Sequence, residues 1–515
     1  MNYAELFRAT LPETVLEIAA LLVLVVDLGF VRKAAMKTRA GCAALVGIAG
    51  CIAALWVLPL AGTYSAGKER LLAAGGSAGV AQAGILILTA LTLFLLIDSK
   101  FSRNPGEYVA VVLMSAAGGM IISAAQDLLV IFIGLELLSL GLYILTAFAK
   151  QSGKSAEAAV KYYLFGGMSA AFLLFGFSYL YGLSGSTSLP RVVLGTYVAA
   201  GNGGSPLLYI ALVMVAAGLG FKVAAVPFHL WAPDTYEGAP APAAAFIASV
   251  SKVASFALLI SISSVGIHFM ESLPLTGGRM ILRAFTSGTP QPPVVLGLPY
   301  GWGLILTVLS AASMLVGNLA ALAQLSVRRL LAYSAIAHAG YILLGLAFFS
   351  WTNASAQAIL YYILTYGLTT VGAFGVVGVV ERATGTDRFD GFLGLHKRNP
   401  LLAAVLLVLF LSLAGIPPLV GFWAKFNLFA AVLGVGGGVV PFALVALAVG
   451  FSAVSLYYYL QVLKRAYVMP PIDETPIKVN AVTMAALMLI AAGVVVFGCF
   501  PALLQNWIAS FDPVL

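Results

Sequence analysis

Residues 220–256 read GFKVAAVPFHLWAPDTYEGAPAPAAAFIASVSKVASF. This stretch contains the end of one long apolar segment, a short polar link and the start of a second apolar segment. Each segment carries a lysine, Lys222 in the first and Lys252 in the second. An ionisable side chain at the centre of a bilayer costs about 2.5–3.5 kcal/mol on insertion scales. The stretch therefore indicates membrane helices with embedded charges that need a functional reason.

The composition of the whole chain agrees with this stretch. Of the 515 residues, 61% are hydrophobic and only 9% are charged, whereas soluble domains have about 25% charged residues. So few charges exclude a soluble enzyme, a secreted disulfide scaffold and a disordered chain. The apolar runs are continuous and lack the period-two alternation of a transmembrane barrel. We therefore predict an all-α polytopic membrane protein, in which the net charge of +8 is not a nucleic-acid footprint.

Segments of about 20 apolar residues, the length that crosses a bilayer, divide the chain into spans. They predict about fourteen spans, numbered 1 to 14: 14–31, 41–61, 80–97, 107–125, 128–149, 160–183, 206–231, 241–267, 302–324, 327–349, 354–380, 400–433, 438–464 and 482–507. The links at 62–79, 184–205 and 268–301 are the longest, and none can form a soluble domain with its own core. Any cofactor chemistry in water must therefore belong to another chain.

The basic residues predict the orientation of the chain. Of the 27 Lys and Arg residues, 18 fall in one set of alternate loops, six in the opposite set and three inside apolar segments. Cytoplasmic loops of membrane proteins carry the excess of basic residues. We therefore expect both termini on the non-cytoplasmic side, most simply of a bacterial plasma membrane, although a thylakoid or organellar inner membrane fits the same pattern.

Four charged residues lie in the middle of apolar segments: Glu136, Lys222, Lys252 and Lys425. Static ion pairs that fix helix register are one explanation. One acid cannot neutralise three bases, so at least two lysines are neutral part of the time or in contact with water. Such lysines are good proton carriers, and several central ionisable groups favour an ion or proton path.

Helix-breaking residues flank two of these lysines. They are Gly218, Gly220 and Pro227 around Lys222, and Pro417 and Pro418 ahead of Lys425. Proline removes a backbone donor and disrupts the preceding turn, and broken helices are tolerated in lipid only where they face protein or a wet cavity. A break beside a mid-membrane charge is typical of ion-coupled transporters.

The spacing of titratable groups suggests an internal repeat. Glu136 precedes Lys222 by 86 residues, and His338 precedes Lys425 by 87. Each interval contains a helix with a central titratable group, another helix and a broken helix. A repeat of five spans has to be inverted in the membrane, as in many transporters. The predicted organisation is spans 1–3 in residues 1–106, two inverted five-span repeats in 107–268 and 302–465, and span 14 in 466–515.

Histidine titrates near neutral pH, so the histidines near the breaks are candidates as well. His338 is central in its span, and we expect either a relay role or a satisfied core position. His229 follows Pro227, and Asp234 lies between spans 7 and 8 on the basic side. These two residues either help proton uptake or are simply solvated. The three cysteines have no metal-ligand spacing, and we expect no metal site.

The 220–256 stretch resembles the antiporter-like membrane subunits of respiratory complex I, which are related to multisubunit cation/proton antiporter subunits. LLAYSAIAHAGYILLG (330–345), LAGIPPLVGFWAKF (413–426) and the glutamate in GLELLSL fit the same family. Among its members the chain looks most like subunit N, called subunit 2 in organelles, because Ser251-Lys252 replaces the histidine-containing pattern and Lys425 replaces a glutamate.

The resemblance implies a role for each central residue. Glu136 would pair with Lys222 and modulate it, Lys252 would be the central relay, and Lys425 would lead to the outlet. His338 would lie on the connecting hydrophilic axis. Members of the family translocate protons, driven by quinone reduction elsewhere in the assembly.

The resemblance also implies the setting of the chain. We expect no cofactor and no quinone bound by this chain, with NADH, flavin, iron–sulfur clusters and quinone in partner subunits. The expected partners are other membrane-arm subunits, M-like and small ones, together with lipid. Two alternatives stay open: a standalone or Mrp-type cation/proton antiporter subunit, and a structural membrane scaffold.

Overall fold

The computed structural model describes residues 3–62, 71–99, 101–201, 206–272, 301–349, 353–435 and 438–511. Within these ranges the chain is built from helices, and a few isolated β-bridges connect loops. The α-helices are α1 (Tyr3–Ala9), α2 (Leu11–Val25), α3 (Met36–Val57), α4 (Gly76–Leu96), α5 (Pro105–Ala124), α6 (Leu128–Thr146), α7 (Gly153–Ser184), α8 (Leu189–Gly201), α9 (Pro206–Val223), α10 (Trp231–Gly238), α11 (Ala241–Ser272), α12 (Trp302–Leu322), α13 (Val327–Ala347), α14 (Asn353–Thr384), α15 (Leu395–Arg398), α16 (Pro400–Ala414), α17 (Val420–Gly434), α18 (Val439–Tyr467), α19 (Ala481–Cys499) and α20 (Pro501–Ser510).

The predicted all-α membrane architecture is confirmed. In the described part of the chain, 12 helices are long and apolar enough to cross a bilayer, and α16 and α17 are shorter apolar helices. Together α16 and α17 occupy span 12, and α2 with the π-helical turn Val26–Phe30 occupies span 1. Each of the fourteen predicted spans therefore contains helix, and spans 7 and 12 also contain an irregular segment, 224–230 and 415–419. Span 14 is divided at Phe500 into α19 and α20.

The link between spans 6 and 7 contains a helix that the hydropathy pattern did not predict. Helix α8, with the sequence LPRVVLGTYVAAG, is too short to cross a bilayer. Its buried residues Leu189, Val192, Val193 and Thr196 recur at helical spacing, which gives it one apolar face. The signal was present in the periodicity of the link but not in its mean hydropathy.

The centre of the protein is formed by α11, α13 and α14. The described spanning windows of α11 and of α14 are 100% and 94% buried, whereas that of α18 is only 17% buried. Helix α11 packs against α4, α5 and α14, and α14 packs against α13 and α17. This arrangement places Lys252 on α11 and His338 on α13 in the interior, with 3% and 5% of their surfaces exposed.

Two helix pairs are held together by glycines at corresponding places in the sequence. In the α5–α6 pair, a Cβ atom on Gly118 would lie 2.6 Å from the backbone nitrogen of Leu138. In the α12–α13 pair, a Cβ atom on Gly317 would lie 2.6 Å from the backbone nitrogen of Ala337, and one on Gly340 would lie 2.8 Å from that of Met314. Small residues let membrane helices approach to backbone contact, and each predicted repeat begins with such a pair.

We expect Gly317→Val to lower the free energy of unfolding by about 1–3 kcal/mol, because the added methyl groups meet backbone that cannot move aside. Thermal unfolding of the purified chain in detergent measures the effect. Gly450→Val is the matched control, since Gly450 on α18 has open space around it. Equal stability of the two variants would show that the close crossing of α12 and α13 does not contribute.

Candidate functional site

Two helices are interrupted inside the bundle. Helix α9 ends at Val223, and α10 starts at Trp231 after an irregular segment that contains Pro227. Helix α16 ends at Ala414, and α17 starts at Val420 after a segment that contains Pro417 and Pro418. The last carbonyl groups of a helix have no partner within that helix. Each interruption therefore offers free carbonyl oxygens inside the protein.

Gly218 and Gly220 do not break the helix; both lie inside α9. They allow close packing instead, because a Cβ atom on Gly218 would lie 2.6 Å from Leu173 Cβ, and one on Gly220 would lie 2.9 Å from the ring of Phe228. The irregular segment begins at Ala224, whose φ is +55°. Both interruptions contain proline, which cannot donate a backbone hydrogen bond. Gly218 and Gly220 instead allow α9 to pack closely against its neighbours.

Lys252 binds the first interruption. Its Nζ donates a hydrogen bond to the carbonyl oxygen of Val223, the last residue of α9. The C-terminal end of a helix carries a partial negative charge that favours a cation. Lys222 immediately precedes Val223, so Nζ of Lys252 lies next to the backbone of Lys222.

At the second interruption, each of the three N–H donors of the Lys425 ammonium group has an oxygen acceptor. Its Nζ lies 3.1 Å from Leu413 O, 2.8 Å from Ala414 O and 2.8 Å from Ser452 Oγ. A protonated lysine has three N–H donors and no acceptor, and the three oxygens match this number. Gly415 has a φ of +88°, and a Cβ atom there would lie 3.1 Å from Lys425 Nζ. A glycine is therefore needed beside the lysine.

Lys222 is held by a hydroxyl group and not by the expected carboxylate. Its Nζ donates to Ser139 Oγ and lies 5.9 Å from the ring centre of Tyr143 and 5.6 Å from that of Phe221. Among the described residues no ion pair joins Lys222 to Glu136. Glu136 lies one helical turn before Ser139 on α6 and is half-buried. The Glu136 carboxylate therefore lies one turn of α6 away from the hydroxyl that binds Lys222, and the carboxylate and the ammonium group are separated.

His338 is enclosed by tyrosine side chains. Its Nδ1 lies 2.8 Å from the hydroxyl of Tyr362, and the rings of Tyr341 and Tyr366 lie 5.8 and 4.8 Å from the imidazole. Tyr341 also faces Lys425, whose Nζ lies 5.6 Å from the ring centre. Within the described part of the chain His338 is hydrogen-bonded but makes no ion pair, and Tyr341 lies between it and the second interruption.

A small void adjoins His338. It has a volume of about 10 Å³ and is bordered by Tyr362, Thr365, Ser412 and Gly421. A void of this size is near the lower limit for one water molecule. Its border extends from the imidazole to Ser412 and Leu413 near the end of α16, and most of its surface is apolar. The void therefore adjoins both His338 and the last turn of the helix whose carbonyl oxygens bind Lys425.

An ionic network closes the end of the first interruption. Asp234 on α10 binds Lys161 Nζ at 2.7 Å and Arg329 Nη1 at 2.6 Å, and Arg329 also binds Glu237 at 3.0 Å. Burial alone would raise the pKa of Asp234, but hydrogen bonds from Lys161 and Arg329 outweigh it and hold the pKa below its usual value. Asp234 is therefore an anion in this arrangement. His229 is 9% exposed, and its Nδ1 has no partner among the described residues.

Ser139, Ser452 and the tyrosines around His338 were not predicted as site residues. Serine and tyrosine are common in apolar helices, where a hydroxyl can bond to its own backbone. Only the neighbouring lysine distinguishes Ser139 and Ser452, and contacts across 83 and 27 residues leave no local signal. In the described part of the chain no group of three or more His, Cys, Asp or Glu side chains is placed for a metal.

Comparison with known proteins assigns the family. The sequence profile described as NADH:quinone oxidoreductase/Mrp antiporter, transmembrane, matches residues 125–274 and 295–452. The chain is 44% identical over 519 residues, and 99% of each chain, to NADH-quinone oxidoreductase subunit N 2 of Acidobacterium capsulatum. It is 39% identical to NAD(P)H-quinone oxidoreductase subunit 2 of Thermosynechococcus vestitus, over 90% of this chain and 82% of the relative. The chain belongs to this family of antiporter-like membrane subunits.

Solved structures show the same fold. A chain of respiratory complex I from Thermus thermophilus superposes with a TM-score of 0.73 and 31% identity, covering 96% of this chain and 98% of the other. A chain of the Mrp complex from Dietzia sp. has a TM-score of 0.77 and 22% identity, covering 98% of this chain and 51% of the other. The predicted resemblance to antiporter-like subunits, and to subunit N among them, is confirmed.

We expect Asp234→Asn to lower the free energy of unfolding by about 1–2 kcal/mol at neutral pH, because two partly exposed ion pairs are lost and each contributes at most about 1 kcal/mol. The folded-state pKa is depressed, so this contribution is present above the pKa of an unfolded aspartate, about 3.9, and is lost as the pH falls through the lower folded value. Thermal unfolding in detergent between pH 7 and 3 measures it. Glu474→Gln, at an exposed site, is the control; a pH-independent difference would contradict the ion-pair assignment.

Proposed function

We propose that this chain translocates protons as a membrane-arm subunit of a complex I-type quinone oxidoreductase. The observation that carries the proposal is the position of three buried lysines at the two interruptions. Lys222 lies in the last turn of α9, and Lys252 and Lys425 bind carbonyl oxygens at the ends of α9 and α16. Relatives at 38–44% identity are named subunits of NADH-quinone oxidoreductase. The chain would carry no redox chemistry itself.

The proton enters the relay at Lys222. Uptake from the basic side passes near His229, while Asp234 anchors α10 as an anion. Lys222 alternates between Glu136, which favours the ammonium form, and Ser139, which offers one neutral acceptor. In the structure Lys222 is bonded to Ser139 and separated from Glu136, and this is the arrangement from which the proton moves on.

The proton then passes from Lys222 to Lys252, which is bonded at the neighbouring residue Val223, and onward through His338 to Lys425. A carbonyl end of a helix stabilises the ammonium form of each lysine, and His338 with its tyrosines lies between them. Hydrogen bonds to a charged group contribute about 1.5–3 kcal/mol each, and moving one charge against 100 mV costs about 2.3 kcal/mol. Making and breaking one or two lysine hydrogen bonds is therefore enough to control one step.

The setting follows from the same proposal. NADH, flavin, iron–sulfur clusters and quinone belong to partner subunits, and the direct neighbours are an M-like subunit and small membrane subunits. The chain lies in a bacterial plasma membrane with both termini on the non-cytoplasmic side, which the distribution of 18 basic residues against six supports. Residues 107–268 and 302–465 act as two inverted units, supported by the matching α5–α6 and α12–α13 pairs.

Glu136→Gln and Lys222→Ala are expected to lower the number of protons moved per electron in the assembled complex. Each variant removes one of the two charged groups at the proposed start of the relay. Proton uptake and quinone reduction in membrane vesicles measure this ratio. Lys464→Ala, at the exposed end of α18, should leave it unchanged. A normal ratio in both test variants would refute the relay.

Ser452→Ala is expected to reduce proton translocation by about tenfold or more in the step through Lys425, because one of three charge-assisted hydrogen bonds is lost. Ser452→Thr keeps the hydroxyl and should restore transport in the same vesicle assay. Ser123→Ala, a buried serine that bonds within its own helix, is the control. Equal loss in the Thr variant would indicate a packing role for this serine.

The alternatives give different results. A standalone antiporter predicts cation/proton exchange by the purified chain in liposomes under an imposed gradient, whereas the proposed subunit stays inactive there. A scaffold predicts that variants at Lys252 and Lys425 damage assembly of the complex, without a selective loss of pumping in the complexes that form.

A further inference from the structure

A large cavity lies away from the relay. It is bordered by the start of α3, the segment between the end of α4 and the start of α5, and the segment after α6. It has a volume of about 500 Å³, within the range of small-molecule sites. We propose that this cavity binds the headgroup of an anionic phospholipid. The ligand chemistry is a phosphodiester anion joined to an apolar body.

The walls of the cavity are cationic. Lys37 lies on α3, Arg103 precedes α5 and Lys150 follows α6, and all three line the cavity. No ion pair of the described residues involves any of them, although other basic residues nearby are paired. The one acidic side chain in the described lining, Asp98, lies 3.5 Å from Arg382. Three cations against this one carboxylate leave the cavity with an excess of positive charge, which fits a phosphate group.

A second ion pair fixes the backbone of the site. Arg39 binds both carboxylate oxygens of the buried Asp27, at 2.8 and 2.7 Å. The same guanidinium donates to the carbonyl oxygen of Arg103 at 3.2 Å. This bond attaches the backbone of Arg103 to α3, and Arg103 itself lines the cavity.

The floor of the cavity is aromatic. Phe101 and Phe148 line it, and Tyr108 packs edge-on against both, with ring centres 5.1 Å from each. Tyr108 is 1% exposed, and its hydroxyl has no partner among the described residues. Tyr108 also borders a void of about 10 Å³ next to Phe101. The apolar body of a phospholipid packs against the faces of Phe101 and Phe148 that line the cavity, which Tyr108 supports from below.

The position of the cavity favours a lipid over a soluble anion. Its loops follow spans 1, 3 and 5, which lie on the side that carries 18 of the 27 basic residues. Anionic lipids are attracted to basic residues at this membrane surface. The turn Val26–Phe30 packs against α3 and α5, and its Leu28 and Phe30 are 50% and 81% exposed. They give acyl chains an apolar surface beside the headgroup site.

The test is native mass spectrometry of the full-length chain in detergent, after lipid removal, with phosphatidylglycerol, phosphatidylcholine or inorganic phosphate added. We expect one tightly bound phosphatidylglycerol, no equivalent phosphatidylcholine and no displacement by phosphate. The triple variant K37Q/R103Q/K150Q should bind phosphatidylglycerol at least about tenfold more weakly. The control K397Q/K464Q/K478Q removes three exposed lysines on the same side, none of which lines the cavity, and should bind normally.

Three results would overturn the proposal. Equal binding of both lipids, or equal loss in the two triple variants, would mean general surface attraction. Displacement by phosphate would identify a site for a soluble anion. If K37Q/R103Q/K150Q binds lipid normally but its assembled complex lacks a neighbouring subunit, the cavity holds an acidic segment of that subunit instead.

Discussion

The binding of lysine ammonium groups to the free carbonyl ends of interrupted helices is the contact on which the arrangement of the site depends. A bare lysine in an apolar bundle is costly, and a bare carbonyl in the same place is costly as well. Here Lys252 contacts the end of α9 and Lys425 contacts the end of α16, so two unfavourable groups satisfy one another. Because neither contact is an ion pair with a carboxylate, deprotonation of either lysine would leave no unpaired buried anion. The interruptions and the lysines thus explain each other, and neither is stable alone.

The two interruptions are similar in construction but differ in which element supplies the lysine. The first receives Lys252 from α11, whereas the second receives Lys425 from α17, the continuation of its own helix. At the second interruption the neighbouring helix α18 supplies Ser452, which accepts from Lys425. The neighbouring helix thus contributes an ammonium group at the first interruption and a hydroxyl group at the second.

Much of the fold and the central charges could be predicted from the sequence because lipid leaves few alternatives. Continuous apolar runs have to be helices, and Lys222, Lys252 and Lys425 are conspicuous in such runs. The partners of these lysines could not be predicted, since Ser139, Ser452 and the carbonyl oxygens are common groups that become informative only when helices pack. The hydropathy pattern also did not predict α8, whose apolar face is narrow. Gly218 and Gly220 were predicted to break the first helix, but they lie inside α9 and allow close packing there.

The ionic network around Asp234 has a mechanical consequence. Asp234 sits on the short helix after the first interruption, and its two oxygens are bonded to α7 and to α13 at the same time. If α10 moves away from one of these neighbours, it either moves the other with it or breaks a charged hydrogen bond. Opening of the first interruption is therefore linked, through Asp234 and Arg329, to the position of α13, the helix that carries His338. A displacement of α10 would thus reach the imidazole as a movement of its own backbone, independent of any charge transfer between the two sites.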